Sequence, residues 1–405
     1  MNNRKIGIGV AIVAGLVALF FLSKQLMTKK PQVLKPDQAE VGRKKTEQVA
    51  RKTALTLHQV CRYADSIGID TTRFGTGSDK TETDGKLTAL LLEIRYGKKP
   101  SRTAFSGLRE TIDSAWATKT GATFSPASLA EQASFAPYAQ LLGHYQRLKK
   151  QANINPAVAD SLRLIRQTLN FYRYINRFDS GKFVVVNIPA GELNVFDRAG
   201  KRLLPMQVIT GKPDKQTPCM TTYIQDIVAY PYWNVPKKIA LEEMLPRMKR
   251  NLAFIYNQNL QILNAKNQEV NPEDIDWESL SETNFPYRVR QASGCENSLG
   301  LLKFDLANPL AIYLHDTNSR DLFTLTTDHW RSHGCVRVQK PVELANLVLG
   351  AETFDDEFMN KCLIDQKPRT LPIPKPFPVF IAYNIADVDA DGKLRFYKDV
   401  YALDK

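Results

Sequence analysis

The chain has 405 residues, is 43% hydrophobic and 24% charged, and carries a formal net charge of +13. Such a length fits two or three domains, and the apolar content is ample for packed cores, which excludes a disordered chain. Six of the positive charges (Arg4, Lys5, Lys24, Lys29, Lys30, Lys35) lie in the first 35 residues, so the remainder is only mildly basic, and no nucleic-acid motif or internal repeat accompanies it.

Ile6 to Leu22 is a continuous run of apolar residues and glycine. As a helix it would be about 25 Å long, the short end of a membrane span. A cleaved signal peptide would need small residues at its end, whereas Phe20-Phe21-Leu22-Ser23-Lys24 is bulky and then charged. Residues 1–30 are therefore expected to be an uncleaved anchor. Taken alone, the charges flanking the run argue for a cytoplasmic body. Residues 31–45, polar with Pro31 and Pro36, read as a tether.

From 46 to 180 the pattern is helical. Leu87, Leu90, Leu91 and Ile94 follow i, i+3, i+4, i+7. Asn155-Pro156 reads as a helix start, and Val158, Leu162, Ile165, Leu169 and Tyr172 make one apolar stripe behind it. His58 and His144 stand alone there and read as structural or surface residues. The period changes at Gly181. Residues 182–188, 191–196 and 202–209 read as a meander of short strands. An insertion at about 237–285 holds a helical piece, and strands resume at 287–291, 301–304 and 311–314. Pro341–Leu349 reads as a helix. The prolines at 368, 372, 374, 376 and 378 suggest an extended, polyproline-like stretch, and Asp391-Gly392 a hairpin turn between two last strands.

The chemistry concentrates in Ser332-His333-Gly334-Cys335-Val336-Arg337, with His315 twenty residues upstream of Cys335. A free thiol has a pKa of about 8.5, so a neighbouring imidazole is needed to take its proton. Gly334 lets backbone approach a substrate, and N–H groups beside the cysteine can bind a developing oxyanion. A buried structural cysteine is the plainer alternative, and His315, His329, His333 and Cys335 could instead ligate a metal. No CxxC or HExxH pattern supports the metal.

These residues resemble the L,D-transpeptidase (YkuD-type) signature. The likeness extends through Phe183–Pro189, Val208–Asp214, Thr217-Pro218, Trp233–Pro236, Asn297–Gly300 and Leu314–Thr317, over most of 160–405, and is similar to the large YcbB-like branch. It implies an α+β chain: an N-terminal transmembrane helix, a helical scaffold domain at 46–180, and a mostly-β catalytic domain at 181–405 with the insertion as a lid. A surface insertion without a catalytic role is the alternative. It further implies Cys335 as nucleophile and His315 as general base, oriented by the Asp316 carbonyl. His333 would shape the oxyanion site, and the N–H groups of Gly334 and Cys335 would hold the oxyanion. Substrate contacts fall to Arg337, Ser332, Tyr313, Trp233 and Asn297, with Arg337 either a fork for a substrate carboxylate or a structural arginine. The implied reaction joins peptidoglycan stem peptides by 3→3 cross-links and releases terminal D-alanine, without metal or organic cofactor. Water as acceptor would make it an L,D-carboxypeptidase, and a general cysteine peptidase is a further alternative. Carbapenems would acylate the cysteine. The substrate's location places the body on the periplasmic side of the inner membrane, against the charge count. Of five cysteines, Cys219 and Cys295 map to substrate-side segments and are expected either to pair or to be two separate core residues.

Overall fold

The computed structural model describes residues 36–75, 77–122, 135–152, 158–325, 327–361, 363 and 366–404. The anchor expected over 1–30 and the helix start at Asn155-Pro156 lie outside them. Among the described residues no helix is long and apolar enough to cross a membrane.

The scaffold opens with helix α1 (Pro36–Ser66), so residues 36–45 of the expected tether are helical. Charge spacing explains the difference: Glu40 pairs with Lys44 at 2.8 Å and Arg43 with Glu47 at 4.0 Å, both i,i+4. Helix α2 (Lys80–Tyr96) starts at Asp79, whose side chain accepts from the Glu82 N–H, and ends at Gly97. The expected stripe Leu87, Leu90, Leu91, Ile94 is buried against α1. After strand β1 (Thr103–Ser106) and helix α3 (Ser114–Ala122) come α4 (Ala136–Ala152) and α5 (Val158–Ile175). Leu162, Ile165, Leu169 and Tyr172 form the buried face of α5, as their spacing predicts.

The β-rich body begins with the meander β2 (Lys182–Asn187), β3 (Glu192–Asp197) and β4 (Arg202–Gly211), followed by β5 (Cys219–Ala229). An inserted subdomain follows. It comprises β6 (Trp233–Asn234), a helical run over 237–250, a short helix Ala253–Asn257, β7 (Leu260–Leu263), β8 (Glu269–Val270) and β9 (Arg288–Gln291). These strands form a separate sheet in the order β6-β9-β7-β8. The subdomain packs its own core around Met248, Ile255, Ile262 and Trp277, so it is wider than the 237–285 expected and is not a bare loop.

Strands β10 (Leu302–Leu306), β11 (Leu314–His315), β12 (Trp330–Ser332) and β13 (Val336–Val338) return to the main sheet, then helix α6 (Pro341–Leu349) and strand β14 (Arg369–Ala382). The main sheet runs β1-β5-β10-β11-β13-β4-β3-β2-β14, with β12 on β4, and β14 also pairs β5. That last pairing closes the sheet around a core of Val184, Leu193, Val208, Ile224, Phe304, Leu314 and Val336. The proline-rich segment is thus extended, as its prolines suggest, but as a strand of the closed sheet. Its register shifts between Pro372 and Phe377, where prolines offer no N–H to the ladder. A hairpin of β15 (Ala386–Val388) and β16 (Leu394–Phe396) turns at Gly392, as expected.

Scaffold and sheet share a second core, in which Ile165, Leu169, Tyr172 and Phe178 pack on Phe183, Phe196 and Phe380 from the outer face of the sheet. Two buried hydrogen bonds join the layers, Thr168 Oγ1 to the Ala386 carbonyl at 2.6 Å and Tyr172 Oη to Asp387 Oδ1 at 2.7 Å. Of the two alternatives for Cys219 and Cys295, their pairing with each other does not hold: Cys219 is a free thiol, whereas Cys295 is disulfide-bonded.

Candidate active site

β11 and β13 run parallel, with Leu314 opposite Val336 and His315 opposite Arg337. Side-chain alternation turns Leu314 and Val336 into the core, where both are fully buried. The residues flanking them in sequence, Tyr313, His315, Cys335 and Arg337, therefore share the other face. β10 adds Lys303 opposite His315.

The Cys335 thiol donates to the Ala311 carbonyl at 3.6 Å. Ala311 is left-handed at φ 56°, which ends the strand expected at 311–314 and leaves only 314–315. Burial pushes the thiol's pKa up, while hydrogen bonds from the Tyr313 N–H and hydroxyl and the charge of Lys303 pull it down. The Tyr313 hydroxyl also meets Trp233, and Lys303 Nζ lies 4.6 Å from the Tyr313 ring centroid. Burial raises the phenol's own pKa far above its ordinary value, so it remains a donor. Trp233, expected to touch substrate, touches Tyr313 and so acts on the thiol at one remove.

His315 is 5% exposed, and its Nδ1–H donates to the Asp316 carbonyl at 2.5 Å. This is the orienting bond the motif implies, and it leaves Nε2 as the basic nitrogen. Asp316 is itself held rigidly: its carboxylate accepts from Leu301 N–H at 2.8 Å and from Arg320 Nη2 at 2.7 Å. Gly300, at φ 62°, leaves room for that carboxylate, since a Cβ there would collide with Asp316 Oδ2. Burial, with the nearby Arg337 charge, drives the His315 pKa down to about 3. The raised thiol pKa and the lowered imidazole pKa both oppose moving the proton from sulfur to nitrogen at rest. The resting pair is therefore neutral.

The loop before Cys335 is braced from within. Ser332 Oγ accepts from the Gly334 N–H at 3.1 Å and donates to the Cys335 carbonyl at 2.5 Å. Ser332 thus braces the loop, and the Gly334 N–H expected in the oxyanion site is already engaged. Gly334 has φ 124°, a conformation side-chain-bearing residues avoid. Its carbonyl accepts from Thr217 Oγ1 at 2.7 Å, and Thr217 Oγ1 accepts from the Gly211 N–H at 2.8 Å. Tyr401 completes the brace, donating to the Gly211 carbonyl at 2.6 Å.

His333 does not reach into the oxyanion site. Its Nε2 meets Glu243 Oε1 at 2.9 Å, and Lys215 Nζ meets the same oxygen at 2.7 Å. Hydrogen bonds from Lys215 and then His333 hold the Glu243 carboxyl below its ordinary value. Glu243 belongs to the inserted subdomain, so this cluster ties the insertion to the nucleophile loop. Nothing in the motif marked Glu243 or Lys215, because ninety residues separate Glu243 from its partner.

Asn297 is 1% exposed and donates to the Ala292 carbonyl at 2.7 Å and the Pro231 carbonyl at 3.2 Å, while its Oδ1 accepts from Leu299 N–H. These bonds shape a turn. Arg337 differs: among the described residues it makes no hydrogen bond to a carbonyl, its Nε is buried without a partner, and burial lowers its pKa. Among the described residues no group of three or more His, Cys, Asp or Glu is placed to hold an ion.

Comparison with known proteins fits this geometry. Residues 181–376 match the family model for the YkuD L,D-transpeptidase catalytic domain. A Haemophilus influenzae protein provisionally named an L,D-transpeptidase is 36% identical over 256 residues, 63% of this chain and 50% of that protein. The chain thus spans about half the length of the curated relative it matches. Solved structures that resemble it include the catalytic domain of an Enterococcus faecium L,D-transpeptidase acylated by ertapenem (11% identity, 50% of this chain and 98% of that one, TM-score 0.24). Another is L,D-transpeptidase 3 of Mycobacterium tuberculosis (10% identity, 51% and 63%, TM-score 0.24). At that similarity the solved structures add nothing to the assignment, which rests on the family model and the Haemophilus relative. Over residues 181–376 the chain is similar to the YkuD-type L,D-transpeptidase catalytic domain.

Proposed function

We propose that the protein is a peptidoglycan L,D-transpeptidase that forms 3→3 cross-links through a thioester on Cys335. The observation that carries the reading is the placement of Cys335, His315 and Tyr313 on one face of the β11–β13 pair, inside the matched domain. Sγ attacks the carbonyl of the third residue of a tetrapeptide stem as its proton passes to His315 Nε2. Attack and proton transfer run together, because the resting pair is neutral. The Cys335 N–H takes the oxyanion, in place of the engaged Gly334 N–H. Collapse breaks the peptide bond, and His315 returns the proton to the departing D-alanine amine. An amine of a second stem then attacks the thioester, gives its proton to His315, and restores the thiol. Arg337, half-buried and with its Nε unpartnered, binds a carboxylate of the stem. Carbapenems acylate the same thiol.

The apolar run at 6–22 anchors the protein in the inner membrane with its body on the periplasmic side. The disulfide at Cys295 supports an oxidising compartment. Mass spectrometry of the purified protein with a disaccharide-tetrapeptide tests the reading. A covalent adduct on Cys335 and a cross-linked dimer are expected. Tripeptide alone would make the protein a carboxypeptidase, and neither adduct nor product would overturn the proposal.

A further inference from the structure

Arg337 stands beside the base without an acid to pair with. Its cross-strand neighbours are His315 on β11 and Ile209 on β4. It is half-buried, and among the described residues it forms no ion pair. Taking a charge out of water is costly unless it is paired, and a guanidinium does not shed its charge. Its Nε is enclosed, so the terminal nitrogens are left to meet a partner. Other cations near the thiol are already taken. Lys303 Nζ lies 2.5 Å from Asp305 Oδ1, and Lys215 and His333 share Glu243. An anion arriving beside His315 therefore meets Arg337.

Acyl transfer on Cys335 brings one carboxylate to that place. As the peptide bond breaks, its carbon stays on Sγ and its nitrogen takes a proton from His315 Nε2. That transfer needs the nitrogen within about 3 Å of the imidazole. A terminal amino acid carries its carboxylate on the carbon bonded to that same nitrogen. Neighbouring strands lie about 4.8 Å apart, so the guanidinium opposite His315 can receive the carboxylate while the nitrogen is protonated. Carboxylates on the acyl side stay with the sulfur instead. The pairing also acts on the base. After burial, the charge of Arg337 is the next cause of the lowered His315 pKa. A carboxylate on the guanidinium offsets that charge during the step in which His315 holds the proton, so the interaction strengthens in the transition state.

We propose that Arg337 binds the carboxylate of the departing terminal residue, and so restricts the donor to stems that end at the residue being released. The assignment rests on the reaction proposed for Cys335. Mass spectrometry of the full chain tests it by following acylation of Cys335 with two donors. One is the disaccharide-tetrapeptide, the other the same compound with its terminal carboxylate converted to the carboxamide. The carboxamide should acylate at least about tenfold more slowly, the size of a charge-assisted hydrogen bond. Arg337→Gln should slow the natural donor to about the rate of the carboxamide and erase the difference between the two. A merely structural arginine would slow both donors alike and leave their ratio unchanged. Equal rates on the wild-type chain, or a ratio that survives Arg337→Gln, overturn the assignment while the reaction stands. Acylation by neither donor overturns the reaction itself, and this assignment with it. The wild-type comparison needs no variant, so it decides the matter even where Arg337→Gln fails to fold.

Discussion

Replacing Tyr313 with Phe isolates what sets the reactivity of Cys335. The phenol and the Tyr313 N–H both oppose the effect of burial on the thiol. The substitution removes the hydroxyl and leaves the N–H, the Lys303 charge and the apolar contact in place. A hydrogen bond to a charged group contributes about 1.5–3 kcal/mol. At 1.36 kcal/mol per pKa unit, its loss raises the thiol's apparent pKa by about one to two. The thiolate fraction at neutral pH, and with it the alkylation rate, should fall about 10–100-fold. The assay is the rate of iodoacetamide labelling against pH, read by peptide mapping at Cys335. Cys219 does not interfere, because burial pushes its pKa up to about 12. The variant's profile should move to higher pH and meet the wild-type plateau at the alkaline end. Trp233→Phe should move it the same way by less, since the indole acts only through the phenol. Superimposable profiles, or a move to lower pH, would refute the assigned role of Tyr313.

Cys335→Ala should abolish acyl-enzyme formation, and His315→Ala should cost at least about 10³ in turnover. His333→Ala should lose far less, because its partner is an exposed carboxylate and such pairs contribute about 0–1 kcal/mol. Equal losses at the two histidines would reject the choice of base. Gly334→Ala should fold yet lose most of its activity: a Cβ there meets only Ile312 Cδ1 at 3.5 Å and two backbone carbonyls beyond it, so the cost, about 1–3 kcal/mol, is backbone strain at φ 124°. Full activity would show that the loop tolerates another conformation. Asp387, buried beside Tyr172, has its pKa raised to about 6 from 3.8. The native state therefore holds a proton there that the unfolded state releases between those values, and stability falls as pH rises from about 4 to 6. Asp387→Asn should gain on wild type by up to about 3 kcal/mol across that window in urea denaturation, and parallel curves would reject the shift.

Much of this was legible because it is periodic or local. The α5 stripe Leu162, Ile165, Leu169, Tyr172 buries the face its spacing predicts. The meander strands and α6 lie where β-branched runs and Pro341 put them. His315 and Cys335 carry their chemistry in the motif itself. What escaped depends on contacts between distant segments. Ser332 and Asn297 look like substrate contacts in a motif, but both satisfy backbone groups of their own turns. The proline run looks unfit for a sheet, yet its register shift lets it pair with β5 on either side of the irregular stretch. Cys219 and Cys295 carry no geometry in their sequence context, and proximity in a motif map does not bring two sulfurs together.

The nucleophile loop has two kinds of support, and they differ in what it would take to release them. Thr217, Gly211 and Tyr401 hold the Gly334 carbonyl through buried hydrogen bonds. Breaking any of these leaves a buried polar group unmet, so that side of the loop is fixed. Glu243 holds His333 and Lys215 from the inserted subdomain through exposed contacts. Those exchange readily with water and weaken with salt. The subdomain has its own core and sheet, so it can separate from the loop without unfolding. A rigid support beneath the thiol and a weak one above it lets the loop stay fixed while the contact above it opens.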